Sequence, residues 1–285
     1  MTPYRKGLLL TGSGVILISP DAVFIRLIDA PVLDLMFWRG AMMAFIMCLF
    51  VLVQERKDIG GFLAQFTLPV LYAAAISVVL NFLFIFGITH TSTASALAIL
   101  AATPLFAAVI GWIFLRERLS WYTWAAAVFV VALISGIVGE ALFESTGYGV
   151  LAALGASVML AVYFTIFRAF PDISRRQVFT IAGVLAALVA GVLSTPFDFD
   201  QRQMTLTLVL TIFIMPAATI LMTLGPRYLP AAEVSLLVLL ESVLGPIWVF
   251  AVIGEVPSTT TMICGGAILV CVAWHAVMVG RTAHR

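Results

Sequence analysis

Charge is what this chain has least of. Only 10% of its 285 residues are charged, while 63% are hydrophobic. A soluble domain carries roughly 25% charged residues. That much apolar side chain does not fit inside a soluble globule, so the bilayer is the expected solvent for most of it. The net charge of +1 gives no reason to expect nucleic acid as a partner. Histidine and cysteine are equally scarce, at three each. Cys48, Cys264 and Cys271 sit in apolar runs and are not spaced as metal ligands. No metal and no cofactor is expected. Nor is there a histidine cluster, a Ser or Cys beside a base, or an Asp-rich motif, so the sequence does not read as an intramembrane enzyme. No ATP-binding loop is present.

What fills the chain is a series of apolar runs. A span needs about 20 apolar residues. Ten are expected, over 7–27, 34–53, 68–88, 93–115, 121–139, 149–168, 177–195, 206–224, 230–253 and 259–280. Arg5 and Lys6 precede the first run as in a signal peptide. That run continues to about Leu27 with no small-x-small cleavage site, so it reads as a retained helix.

The stretch Gly87–Val131 occurs twice. Moved 138 positions without a gap, it lies on Gly225–Leu269. Gly87 meets Gly225, Ala94 meets Ala232, Glu117 meets Glu255, Ser120 meets Ser258 and Thr123 meets Thr261. Each copy reads as an apolar helix, a break at Glu-x-x-Ser, and the start of another helix. The first spans align too: Gly7–Arg26 falls on Gly149–Arg168. The expected halves are 1–140 and 147–285, with five spans each. An odd number inverts the second half relative to the first, and such repeats mark secondary transporters.

Arginine and lysine give the orientation. With the N-terminus inside, the cytoplasmic segments hold Arg5, Lys6, Arg56, Lys57, Arg116, Arg118, Arg168, Arg175, Arg176, Arg227, Arg281 and Arg285. The outside holds Arg26 and Arg202. Both termini are therefore expected in the cytoplasm.

Several short motifs then carry a resemblance. They are Phe37-Trp38-Arg39, Ala94 to Leu97, Thr103 to Phe106, Leu115 to Leu119, Leu240 to Val243 and Ile253 to Glu255. With them the chain resembles the EamA-like, ten-helix branch of the drug/metabolite transporter superfamily. The resemblance covers nearly the whole chain. Two places depart from the usual pattern: Ser19-Pro20-Asp21 stands where a Trp-Gly pair is common, and Ser242 where a proline usually follows the glutamate. The resemblance implies an all-α membrane protein of two inverted five-helix repeats around a central cavity. It also implies alternating access, export of a small metabolite, and a bacterial inner membrane. An amino acid or similar zwitterion is the expected substrate, with membrane lipid as the surroundings and a monomer or homodimer as the assembly. The alternative is a multidrug-type exporter of lipophilic cations coupled to protons.

Polar side chains concentrate in spans 1, 3, 4, 6, 8 and 9, which are expected to face the interior. The candidate substrate residues are Asn81, Thr103, Tyr163, Glu241 and Ser242. For Ser and Thr the alternative is hydrogen bonding between helices. Kinks are expected at Pro20, Pro104, Pro216 and Pro246, because proline frees a carbonyl one turn back. Glu241 lies near the midplane, roughly 18 Å into its span at 1.5 Å per residue. It either binds a cationic group or takes a coupling proton, or else it is a strut tying two helices. Asp21 and Arg39 fall at equal depth, roughly 8 Å below the outer surface, and are expected to form a structural ion pair.

Overall fold

The computed structural model describes residues 3–54, 67–116, 121–143, 147–170, 172–224, 228 and 231–283. Glu117, Ser120 and Gly225 lie outside these, so the Glu-x-x-Ser break is described in its second copy only. Among the described residues there is helix and no strand. In hydrocarbon each backbone N–H and C=O must be satisfied within its own segment, which makes apolar runs into helices.

In chain order the helices are α1 (Pro3–Ile18), α2 (Asp21–Ile28), α3 (Val32–Gln54), α4 (Leu68–His90), α5 (Thr93–Leu100), α6 (Thr103–Leu115) and α7 (Trp121–Phe143). Then follow α8 (Gly147–Ala169), α9 (Arg175–Leu193), α10 (Gln201–Leu208), α11 (Met215–Leu224), α12 (Ala231–Ile253) and α13 (Thr259–Ala283). A π-helical stretch, Val209–Ile214, joins α10 to α11. Among the described residues seven spans are long and apolar enough to cross a membrane. Two of them, Arg5–Ile28 and Thr93–Leu115, contain a break. Leu237–Ile253 and Thr259–His275 are shorter apolar helices.

The breaks fall at the prolines, and each break is repaired locally. Pro20 and Pro104 have no N–H to give to the carbonyls of Ile16 and Leu100. In each case the hydroxyl just before the proline supplies the bond. Ser19 donates to the Ile16 carbonyl at 2.8 Å and Thr103 to the Leu100 carbonyl at 2.6 Å. Pro216 is the second residue of α11, just beyond the π-helical stretch, whereas Pro246 sits inside an unbroken α12.

Packing pairs the two halves of the chain. α3 lies along α9, α4 along α8, α1 along α11 and α7 along α13. The α3–α9 contact is close because Gly40 faces Gly183. A Cβ on Gly183 would stand 2.8 Å from the Gly40 carbonyl oxygen and 2.9 Å from the Ala44 nitrogen. Backbone cannot yield as a side-chain tip can, so the helices would have to part. Gly183→Val is expected to destabilise by about 1–3 kcal/mol or more. Gly139→Ala, with nothing near its Cβ, is expected to leave stability unchanged. The thermal midpoints of the two purified variants check this.

Candidate substrate site

The broken first helix sets up the site. After Ile18 the chain turns at Ser19-Pro20 and restarts at Asp21, so the first residue of α2 carries a carboxylate where the helix dipole favours one. Arg39 of α3 meets it. Its Nη1 donates to Asp21 Oδ1 at 2.7 Å and its Nη2 to Oδ2 at 3.2 Å. Both side chains are buried, with 4% and 9% of their surface exposed. The fork geometry uses four of the polar atoms and leaves Arg39 Nε without a partner.

That arginine lines a cavity of about 100 Å³ between α3, α4 and α9, which Met215 of α11 also reaches. Its polar lining is Arg39, Ser77 and Asn81. Asn81 Oδ1 is buried and, like Arg39 Nε, lacks a hydrogen bond. Two residues of the lining thus carry, among their buried atoms, an unused donor and an unused acceptor. The rest is apolar, chiefly Met36, Met43, Phe179 and Met215.

The other expected substrate residues sit elsewhere. Thr103 is buried, and beyond Leu100 its hydroxyl meets the Ser157 hydroxyl at 3.0 Å. It ties α6 to α8. Tyr163 lies one layer behind the cavity, its ring edge-on to Phe167 at 4.8 Å. Its apolar cluster shares Val78 and Ala182 with the cavity wall. Glu241 and Ser242 are partly buried on α12 and do not line the cavity.

Glu241 nonetheless faces the same break in helix one. Glu241, Gly245 and Trp248 are spaced four and three apart and so share a face of α12. Gly245 packs on Leu97 near the Ser19 carbonyl, and Trp248 Nε1 donates to the Ser19 hydroxyl at 2.9 Å. The electrostatic neighbour of Glu241 is the Asp21 carboxylate. The structure thus pairs Asp21 with Arg39, puts Arg39 and Asn81 in one cavity lining, and leaves Glu241 outside that lining.

The EamA-like transporter family matches residues 5–139, a little under half the chain. The chain is an all-helical, multi-span membrane protein whose first half is similar to that family. A crystal structure described only as that of a protein superposes with a TM-score of 0.66. The superposition covers 98% of this chain and 99% of that one at 18% identity, a likeness of fold alone. No curated protein matches.

Sequence reasoning missed the contribution of α3 and α9 to the cavity. Neither helix is among the spans expected to face the interior, and Met36, Met43 and Phe179 carry no polar signal. The available clue was small-residue spacing, Gly40 with Ala44 and Gly183 with Ala186, which marks close helix approach.

Proposed function

We propose that this protein is a secondary transporter that carries a small zwitterionic metabolite of the amino-acid type across the bacterial inner membrane, outward, by alternating access. The cavity beside Arg39 carries the reading. An unpartnered guanidinium N–H suits a carboxylate, and an unpartnered amide oxygen suits an ammonium group. A ligand bearing both satisfies two buried groups that otherwise cost free energy. The methionine and phenylalanine wall leaves room for an apolar side chain.

The inverted-repeat reading has support in the packing. Exchanging the two five-span halves maps the α4–α8 contact onto α11–α1. It also maps the α6–α8 and α5–α8 contacts onto α1–α12 and α2–α12. Orientation, with both termini cytoplasmic, rests on the Lys and Arg distribution. Against the lipophilic-cation alternative stands the positive charge of Arg39 in the cavity lining.

Counterflow of radiolabelled amino acids into proteoliposomes tests the proposal. Asn81→Leu is expected to fold but to raise KM roughly 10- to 100-fold, the worth of a hydrogen bond to a charged group at about 1.5–3 kcal/mol. Wild-type protein that exchanges no zwitterion above the rate of empty liposomes would refute the assignment.

A further inference from the structure

The end of the bundle opposite the N-terminus is tied across the two halves of the chain by ionised and hydroxyl groups. Arg26, in the last turn of α2, donates from Nη2 to the Thr91 carbonyl at 2.5 Å. The same nitrogen stands 3.3 Å from Glu255 Oε2. Glu255 belongs to the linker between α12 and α13, in the other half. Its Oε1 accepts the backbone N–H of Thr93 at 2.7 Å. Thr93 opens α5, where an amide has no partner within its own helix and the dipole favours a carboxylate.

Beside this pair the two helix starts are laid back to back. Ser92 caps α5 by accepting from Ser95 N at 3.1 Å, and Ser258 caps α13 by accepting from Thr261 N at 3.1 Å. The Ser95 and Thr261 hydroxyls meet at 2.7 Å. Ser258 in turn donates to Glu140 Oε2 at 2.7 Å, near the end of α7. Ser92 contacts Ser95 at 2.7 Å, and Thr261 contacts Ser258 at 3.0 Å. A carboxylate only accepts, and each hydroxyl has one proton. The run is therefore polarised from Ser92 through Ser95, Thr261 and Ser258 to Glu140.

We propose that Arg26, Glu255 and the Thr93 amide form a releasable latch that holds this end of the cavity closed. Opening to this side begins by breaking it. The inference rests on the alternating-access reading, because rocking must separate the halves at one end at a time. Exposure singles these groups out. The Arg26 and Glu255 side chains are 26% and 22% exposed, against 4% and 9% for Arg39 and Asp21. A pair already reached by water exchanges its partner for solvent at little cost, and such pairs are worth little net. The buried pair cannot do so and stays closed through the cycle. By the Lys and Arg distribution the latched end is the outer one.

The test reads a distance and needs no substrate. Spin labels go on Pro31→Cys and Val256→Cys, in a background where Cys48, Cys264 and Cys271 are replaced by Ala, in liposomes. The unmodified latch is expected to give one short distance population. Glu255→Gln is expected to add a second population longer by about 5 Å or more. The exchange Arg26→Glu with Glu255→Arg is expected to shrink that population only in part, since an arginine at 255 cannot accept from the Thr93 amide. If Glu255→Gln keeps the single short distance, with or without a lower thermal midpoint, the groups are a static strut and the latch is wrong. Counterflow on the same liposomes separates outcomes. Absent zwitterion exchange with an intact distance response removes the substrate reading and leaves the latch standing.

Discussion

Asp21→Asn is expected to cost this protein about 3–5 kcal/mol of stability. The substitution keeps the shape and the break at Pro20 but leaves Arg39 charged and buried with no counter-charge. Arg39 Nε already lacks a partner, so the guanidinium has no reserve bond to fall back on. The loss should appear as a lowered thermal midpoint and poor recovery of monodisperse protein. Exchanging the two residues, Asp21→Arg with Arg39→Asp, should recover part of it. Replacing both by apolar residues, Asp21→Leu with Arg39→Met, should fold about as well as the wild type, because a buried pair often only breaks even with well-packed apolar groups. That double variant should still fail in counterflow, because the cavity loses its only charged donor among the lining residues. Normal stability of Asp21→Asn with altered substrate preference would instead make Arg39 chiefly a ligand.

Glu241→Gln is expected to fold and to lose transport, or to lose the dependence of transport on pH. The residue sits on the α12 face that meets the Ser19–Asp21 break, with the Asp21 carboxylate as its electrostatic neighbour. A coupling role would have a proton on Glu241 act on the Asp21–Arg39 pair through the Asp21 carboxylate. Gln has the size of the protonated acid and cannot ionise. A fall of roughly tenfold in initial rate, about 1.4 kcal/mol, is the least that a coupling role allows. The measurement is zwitterion flux into proteoliposomes at several pH values from 6 to 8 with an imposed proton gradient. Unchanged flux and pH profile would make Glu241 a strut between α12 and the first span.

The sequence spoke most clearly where lipid constrains it most. Membrane spans were legible because hydrocarbon tolerates few polar groups, so each crossing writes a long apolar run. Asp21 and Arg39 were legible for the same reason: charges at equal depth must meet. The hydroxyls were misleading guides to the cavity. Ser19 and Thr103 are spent on carbonyls freed by the prolines that follow them. Thr165 and Thr180 each bond a carbonyl four residues back in their own helix. A Ser-Pro or Thr-Pro pair predicts that use, and it was read only as a kink. The cavity itself comes from how α3 and α9 are rotated about their axes, and in helices apolar on every side no periodicity records that. The Glu-x-x-Ser break was visible as punctuation. Its partners Arg26 and Thr93 were not, because they lie in the other half and no local pattern links them to Glu255.

The buried pair also has an electrical consequence. Arg39 and Asp21 cancel each other in place, and a zwitterion entering beside them brings no net charge. A cycle that carries only such a cargo moves no charge through the membrane field, so the transmembrane potential does no work on it. One proton riding on Glu241 would change that by about 2.3 kcal/mol per 100 mV. On the proposed reading, voltage sensitivity of the flux would belong to Glu241 and a zwitterionic cargo would be electrically silent.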